Sequence, residues 1–318
     1  MRSRRQIVLP VFLGQLLSLC IVGTSTASSA LWNHYGISIP CTQNFCNYLL
    51  LAIIYGRSAH TSFKFSRHFV GFSFADVGGN VLAVLAFKST SLLSALVLSS
   101  WTIPCVMLLS TYFLHAKYSL IHVRSAVICL VGLALLIWCD TMATDDATAN
   151  HSWIGDIICL MSATSYAVCN VIEEHLVSHH TTAEILGKAG LLGSLLCGMQ
   201  ALYFEYDTVI SIQWTLGSGL LVVGYILCLF TMYSLVPTVY RMTSATFVNM
   251  NLITNNFYSL LVGLFFLNAK MPPFYLVAYV LVITGVISYS LAPSTTDNDS
   301  EEHRQILKSP DHSITSYT

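Results

Sequence analysis

KSTSLLSALVLSSWTIPCVMLLSTYFLHAK fills positions 88–117, and RMTSATFVNMNLITNNFYSLLVGLFFLNAK fills positions 241–270. Laid over each other without a gap, the two stretches match at both ends. Lys88 answers to Arg241, Thr90-Ser91 to Thr243-Ser244, Phe113-Leu114 to Phe266-Leu267, and Ala116-Lys117 to Ala269-Lys270; beyond them Gly132 answers to Gly285, all at one offset of 153 positions. Chance supplies one such pair, hardly the series. The chain contains a repeat of itself.

Between their polar ends both stretches are apolar, and about 20 apolar residues cross the hydrocarbon core of a bilayer as a helix. Working outward, candidate spans fall near 7–31, 42–56, 68–87, 91–114, 121–139, 153–176, 184–204, 215–239, 243–267 and 273–292. The expected fold is an all-α membrane protein of about ten transmembrane helices, built as two inverted five-helix repeats. Residues 1–139 form the first repeat, 140–152 a loop outside, 153–292 the second repeat, and 293–318 a polar cytoplasmic tail that reads as disordered. Five is odd, so the second copy enters the bilayer from the opposite side. Inverted repeats are the architecture of many secondary transporters, with the binding site between the halves near mid-depth.

Composition agrees. Of 318 residues, 55% are hydrophobic and 9% charged, where soluble domains carry about 25% charged residues. Mean hydropathy is +0.68. A formal net charge of −1 gives nucleic acid no footing as a partner. Of the ten cysteines, Cys20, Cys105, Cys129, Cys159, Cys169, Cys197 and Cys228 lie in apolar runs and read as small hydrophobes. Cys41, Cys46 and Cys139 fall near helix ends, where pairing stays open. There is no CxxC pair, GxSxG, HExxH or paired helix-centre Asp, so neither an enzyme nor a metal or other cofactor is expected.

The N-terminal MRSRR, an apolar run and STASSA resemble a secretory signal. The apolar run exceeds the roughly 7–15 residues of such a signal, and cleavage would break the repeat, so it reads as the first helix. Orientation follows the basic residues. With the N-terminus in the cytoplasm, Arg2, Arg4, Arg5, Arg57, Lys64, Arg67, Lys117, Arg124, Lys188, Arg241, Arg304 and Lys308 lie inside, and only Lys88 and Lys270 outside. Both termini are then cytoplasmic. Asn150-His151-Ser152, a glycosylation acceptor pattern, falls in an outside loop, as this orientation requires.

Polar groups at membrane depth are costly and commonly face a cavity or a partner. Asp76 and Asn80 lie one turn apart in DVGGN, where Gly78 and Gly79 admit a close neighbour; they either bind the solute or bond each other and join helices. Asn249, Asn251, Asn255 and Asn256 make an amide-rich stripe on the ninth span, against mostly apolar Leu96, Leu98, Thr102 and Ile103 in the fourth. That asymmetry favours a ligand-facing role, since carboxamides offer both donors and acceptors to uncharged polar groups. Asn170, Glu173 and Glu174 share a face of the sixth span and read as gating or coupling residues, or as partners of Lys188 or Arg241. Lys88 and Arg241 stand near opposite membrane faces, either drawing an anionic solute or anchoring at headgroups. Trp101, with Pro104 in SSWTIP, marks a kink and a stacking surface for the solute or for the core. His175, His179 and His180 approach metal-ligand spacing without a third ligand in view.

Several stretches resemble solute carrier family 35, subfamily F, of the drug/metabolite transporter superfamily: LGQLLSLCIVGTSTASS (13–29), TQNF (42–45), ADVGGN (75–80), IPCVML (103–108), GD (155–156), SYAVCNVIEEHLV (165–177), TSATFVN (243–249) and FYSLLVGLFF (257–266). The resemblance implies two inverted five-helix halves carrying a small organic solute, with nucleotide sugars and purine-like compounds among the solutes of the wider family. The chain departs from close relatives at Gly78, Gly79, Ser99 and Asn256. There the resemblance leads one to expect an acidic residue, Ala, Asp and Asp respectively. Three embedded acids are therefore missing, which bears on coupling.

The sequence thus predicts a transporter of a small polar solute, nucleoside-, nucleobase- or nucleotide-sugar-like, working by alternating access. The alternative is a non-transporting scaffold or receptor that keeps the fold. The expected partners are the solute and the lipid bilayer, with a homodimer left open, and the membrane is either the plasma membrane or an endomembrane of the Golgi or endosome.

Overall fold

The computed structural model describes residues 4–59, 66–89, 98–143, 153–255, 257–258 and 275–292. Asn150, Asn256, residues 144–152 and the tail lie outside the described residues, as do 91–97 of the fourth span and 259–267 of the ninth. The described helices are α1 (Arg4–Tyr35), α2 (Pro40–Ala59), α3 (Arg67–Ser89), α4 (Thr102–Phe113), α5 (Leu120–Ala143), α6 (Trp153–His179), α7 (Thr182–Phe204), α8 (Tyr206–Ser211), α9 (Leu216–Met242), α10 (Ala245–Leu252) and α11 (Tyr275–Leu291). Stretches of α1, α3, α6, α7 and α9 are long and apolar enough to cross a membrane, and α4, α5 and α11 hold shorter apolar segments. The chain is an all-helical, multi-pass membrane protein.

Helix ends carry their own signals. α2 opens on Pro40, whose missing N–H costs nothing in a first turn. The next two backbone N–H groups, of Cys41 and Thr42, each donate to a carboxylate oxygen of Glu205 at 2.7 Å. Glu205 lies just past the end of α7 and is buried, so its carboxylate caps the first turn of another helix. α9 begins with a capping box between Thr215 and Ser218.

The helices associate chiefly in four pairs: α2 with α7, α3 with α6, α1 with α9, and α5 with α11. Lipid supplies no hydrophobic drive between helices, so close backbone approach through small residues carries the packing. A Cβ on Gly190 of α7 would stand 2.5 Å from Ala52 N and 2.9 Å from Tyr48 O on α2. Cys129 Sγ of α5 lies 3.4 Å from Val282 O of α11, two residues 153 positions apart. Outward faces carry Phe12, Leu195 and Leu220, all more than 60% exposed, as a lipid-facing surface requires.

Two spans that read as continuous in sequence are interrupted. Turns at Ser100 and Trp101 precede α4, and turns at Ile253 and Thr254 follow α10, with helix resuming at Asn255. The two interruptions are themselves 153 positions apart.

Candidate functional site

At both turns the backbone stays in the helical region while its hydrogen bonds tighten to three-residue spacing, and side chains add further partners. At the first break Thr102 Oγ1 lies 2.8 Å from Ser99 O and 3.3 Å from Ala163 O on α6. At the second, Asn251 O accepts from Ser18 Oγ of α1 at 3.0 Å and from Thr254 Oγ1 at 2.7 Å. Gln15 of α1 donates from Nε2 to Asn251 Oδ1 at 3.2 Å, and its Oε1 takes Tyr258 OH at 2.8 Å and Thr254 Oγ1 at 2.9 Å. Asn251 Nδ2 turns back to Phe247 O at 2.9 Å. Asn251 is therefore wholly buried behind the break, packed against Gly14, where a Cβ would meet its side chain at 2.8 Å. Asn255, beyond the break, is half-buried. Trp101 stands at the other break, 44% exposed.

Asp76 sits inside the bundle, held by two phenols. Tyr48 of α2 and Tyr233 of α9 both donate to Asp76 Oδ2, the latter at 2.8 Å, and the two hydroxyls are 3.0 Å apart. Asn80, one turn along α3, accepts from Tyr166 of α6 at 2.7 Å. Asp76 and Asn80 thus take different tyrosines instead of each other. A Cβ on Gly79 would stand 3.2 Å from the Tyr166 ring, whereas one on Gly78 would have nothing within 4 Å. Ser162 and Ser165 of α6 complete the contact by donating to Gly79 O at 2.9 Å and Ala75 O at 2.8 Å.

A third group gathers at the start of α10. Asn170 Nδ2 of α6 donates to Asn249 Oδ1 at 3.2 Å, and Asn249 Nδ2 to Ala245 O at 2.8 Å. Glu174 Oε2 accepts from Ala245 N at 2.8 Å, placing a carboxylate on the first turn of α10, where the helix dipole favours it. Glu173 is buried beside it in sequence. Lys188 Nζ pairs with Glu184 at 2.6 Å, and Arg241 Nη2 donates to His180 O at 2.7 Å. The side chain of Lys88 lies outside the described residues. The His175 ring packs against His179 at 4.7 Å and His68 at 5.3 Å between centroids.

The second break, Tyr48, Tyr166, Tyr233, Gln15 and Ser18 went unread in the sequence, whereas the kink at Trp101 and Pro104 was read. Tyrosine counts as an apolar residue in a hydropathy run, and its hydroxyl passes unnoticed. A usable signal was the polar register of α2, where Asn44 and Tyr48 share one face; Asn44 Oδ1 accepts from Tyr225 of α9 at 3.1 Å.

Comparison with known proteins accords with this arrangement. The model of the family described as Solute carrier family 35 (SLC35F) matches residues 3–291. Solute carrier family 35 member F2 of Mus musculus is 36% identical over 297 residues, 90% of this chain and 79% of its own length. Its namesake in Xenopus tropicalis is 30% identical over 316 residues, 95% of this chain and 81% of its own length. An uncharacterized family 35 member of Schizosaccharomyces pombe is 36% identical over 90% of this chain, which spans only 58% of that protein. A solved crystal structure shares the fold, with TM-score 0.71 over 91% of this chain and 98% of its own, at 15% identity. Over nearly its whole length, the chain belongs to solute carrier family 35, a family of membrane transporters.

Proposed function

We propose that this protein is a secondary transporter of a small polar organic solute, nucleoside-, nucleobase- or nucleotide-sugar-like, working by alternating access between two inverted five-helix halves. The observation that carries this reading is the matched pair of helix breaks, Ser100–Trp101 and Ile253–Thr254, at one offset of 153 positions. Interrupted helices at corresponding places in two halves are the mark of a transporter's central binding site. Helix pairing supports the same reading. Exchanging the halves turns the α3–α6 contact into α9–α1, while α2–α7 and α5–α11 map onto themselves.

In this arrangement Asn80, Trp101, Asn249, Asn255 and Asn256 face the solute, and Asp76 with its tyrosines joins α2, α3 and α9 beside it. Asn251 supports the second break from behind. Asn170, Glu173 and Glu174 gate the path, with Glu174 released from α10 as the halves move. Lys88 and Arg241 stand near opposite membrane faces, and both termini lie in the cytoplasm.

Purified protein in proteoliposomes should take up at least one member of a panel of radiolabelled nucleobases, nucleosides and nucleotide sugars, saturably and above protein-free vesicles. Folded protein that takes up none would point to the scaffold or receptor alternative.

A further inference from the structure

The polar register of α2 carries more than the Tyr48 contact. Gln43 and Asn47 lie one turn apart on it, 1% and 0% exposed. Among the described residues, Asn47 Nδ2, Asn47 Oδ1 and Gln43 Nε2 meet no hydrogen-bond partner. Their neighbours on the same helix are satisfied. Thr42 Oγ1 reaches Glu205 at 2.7 Å, Asn44 takes Tyr225, and Tyr48 bonds Asp76. The unpaired amides are therefore not a symptom of a loosely packed helix.

Exposure places both amides inside the bundle: Leu49, Ile53 and Ile54 of the same helix are 40%, 67% and 51% exposed, against 0% for Asn47 and 1% for Gln43. Across the Tyr48–Asp76 contact, Ser73 of α3, one turn before Asp76, is 2% exposed and its hydroxyl is likewise unpaired. A buried amide without hydrogen bonds costs free energy that leucine, with the same branched heavy-atom skeleton as asparagine, would not. Side chains kept at such a cost are characteristic of functional positions, where stability is given up for binding.

We propose that Gln43 and Asn47 line the solute path and bind the uncharged polar part of the solute. Two carboxamides one turn apart present donors and acceptors side by side, and match a hydroxyl, an amide or the edge of a heterocycle. They bring no charge and so do not serve an anionic group. This inference rests on the transporter reading above, but its test needs no transported solute.

Full-length Asn47→Leu and Gln43→Leu proteins are melted in detergent, with Asn251→Leu as the structural reference. The expected melting temperature is equal to or above that of the native protein for both. A fall matching that of Asn251→Leu would make the amides packing elements and overturn the proposal. In parallel, Asn47→Cys in proteoliposomes is treated with methyl methanethiosulfonate, a small neutral thiol reagent, and modification is read residue by residue by mass spectrometry. Cys129, fully buried between α5 and α11, is the internal reference. Modification at position 47 at least tenfold faster than at Cys129 is expected. Equal rates would place position 47 in a dry core and overturn the proposal, whether or not the uptake panel finds a solute.

Discussion

Gly132 and Gly285, 153 positions apart, each press into the helix of the other. A Cβ on Gly132 would stand 2.9 Å from Val282, 3.0 Å from Leu281 and 3.1 Å from Ala278 O. A Cβ on Gly285 would collide with Cys129 Sγ and stand 2.9 Å from Ser125 O. Ser125 and Cys129 occupy in α5 the places that Ala278 and Val282 occupy in α11, so the contact reads the same from either side.

Because backbone oxygens are among the atoms struck, the two helices must part to admit a methyl group. Gly132→Ala and Gly285→Ala are each expected to lose about 1–3 kcal/mol, the usual cost of overpacking. Gly78→Ala, with open space where its methyl group would go, should be neutral or slightly stabilising because alanine favours helix. Thermal melting of the three variants in one detergent checks this. Equal melting temperatures across the set would refute close packing of α5 on α11.

The two amides flanking the second break should separate by phenotype. Asn251→Leu removes the acceptor of Gln15 Nε2 and packs a branched side chain against Gly14, so it should lower stability by about 1–3 kcal/mol. Asn249→Leu leaves the α1 contact intact and removes the bond from Asn170 and the local bond to Ala245 O. Its melting should stay near native while uptake falls severalfold. Comparable loss of folding in both variants would count against a solute-facing role for Asn249.

These predictions also mark where sequence reading succeeds and where it stops. Gly132 with Gly285 was legible because one gapless offset connects them, and that pairing needs no knowledge of side-chain direction. Asp76 was legible as an acid too costly to bury idly. Its partners were not, since Tyr48 and Tyr233 are remote in sequence and blend into apolar runs. The turn at Ser100–Trp101 precedes Pro104, whose missing N–H would have bonded Ser100 O and which reads as a kink in sequence, whereas the turn at Ile253–Thr254 contains neither Pro nor Gly and carries no local signal. The clasp around Asn251 was not legible either. Periodicity assigns faces only within an unbroken helix, and Asn251 lies just before the turn, clasped by Gln15 and Ser18.

Asp76 bears on coupling. Two phenols hold one of its oxygens and tie α2, α3 and α9 at a single point, which suits a fixed joint better than a group that loads and unloads protons. Uptake into proteoliposomes is expected to ignore an imposed pH gradient in the native protein and in Asp76→Asn alike. Tyr233→Phe should lower stability by about 1–3 kcal/mol through the lost bond to a carboxylate. Accumulation driven by the gradient and abolished in Asp76→Asn would instead make Asp76 a proton carrier.

The most direct test of the whole account is counterflow. Proteoliposomes are preloaded with the unlabelled form of whichever nucleobase, nucleoside or nucleotide sugar the uptake panel selects, and entry of the labelled form is followed. If two halves alternate around one central site, internal solute returns the carrier faster, and initial uptake should rise at least severalfold over empty vesicles. Uptake that grows linearly with concentration and is indifferent to internal solute would contradict alternating access.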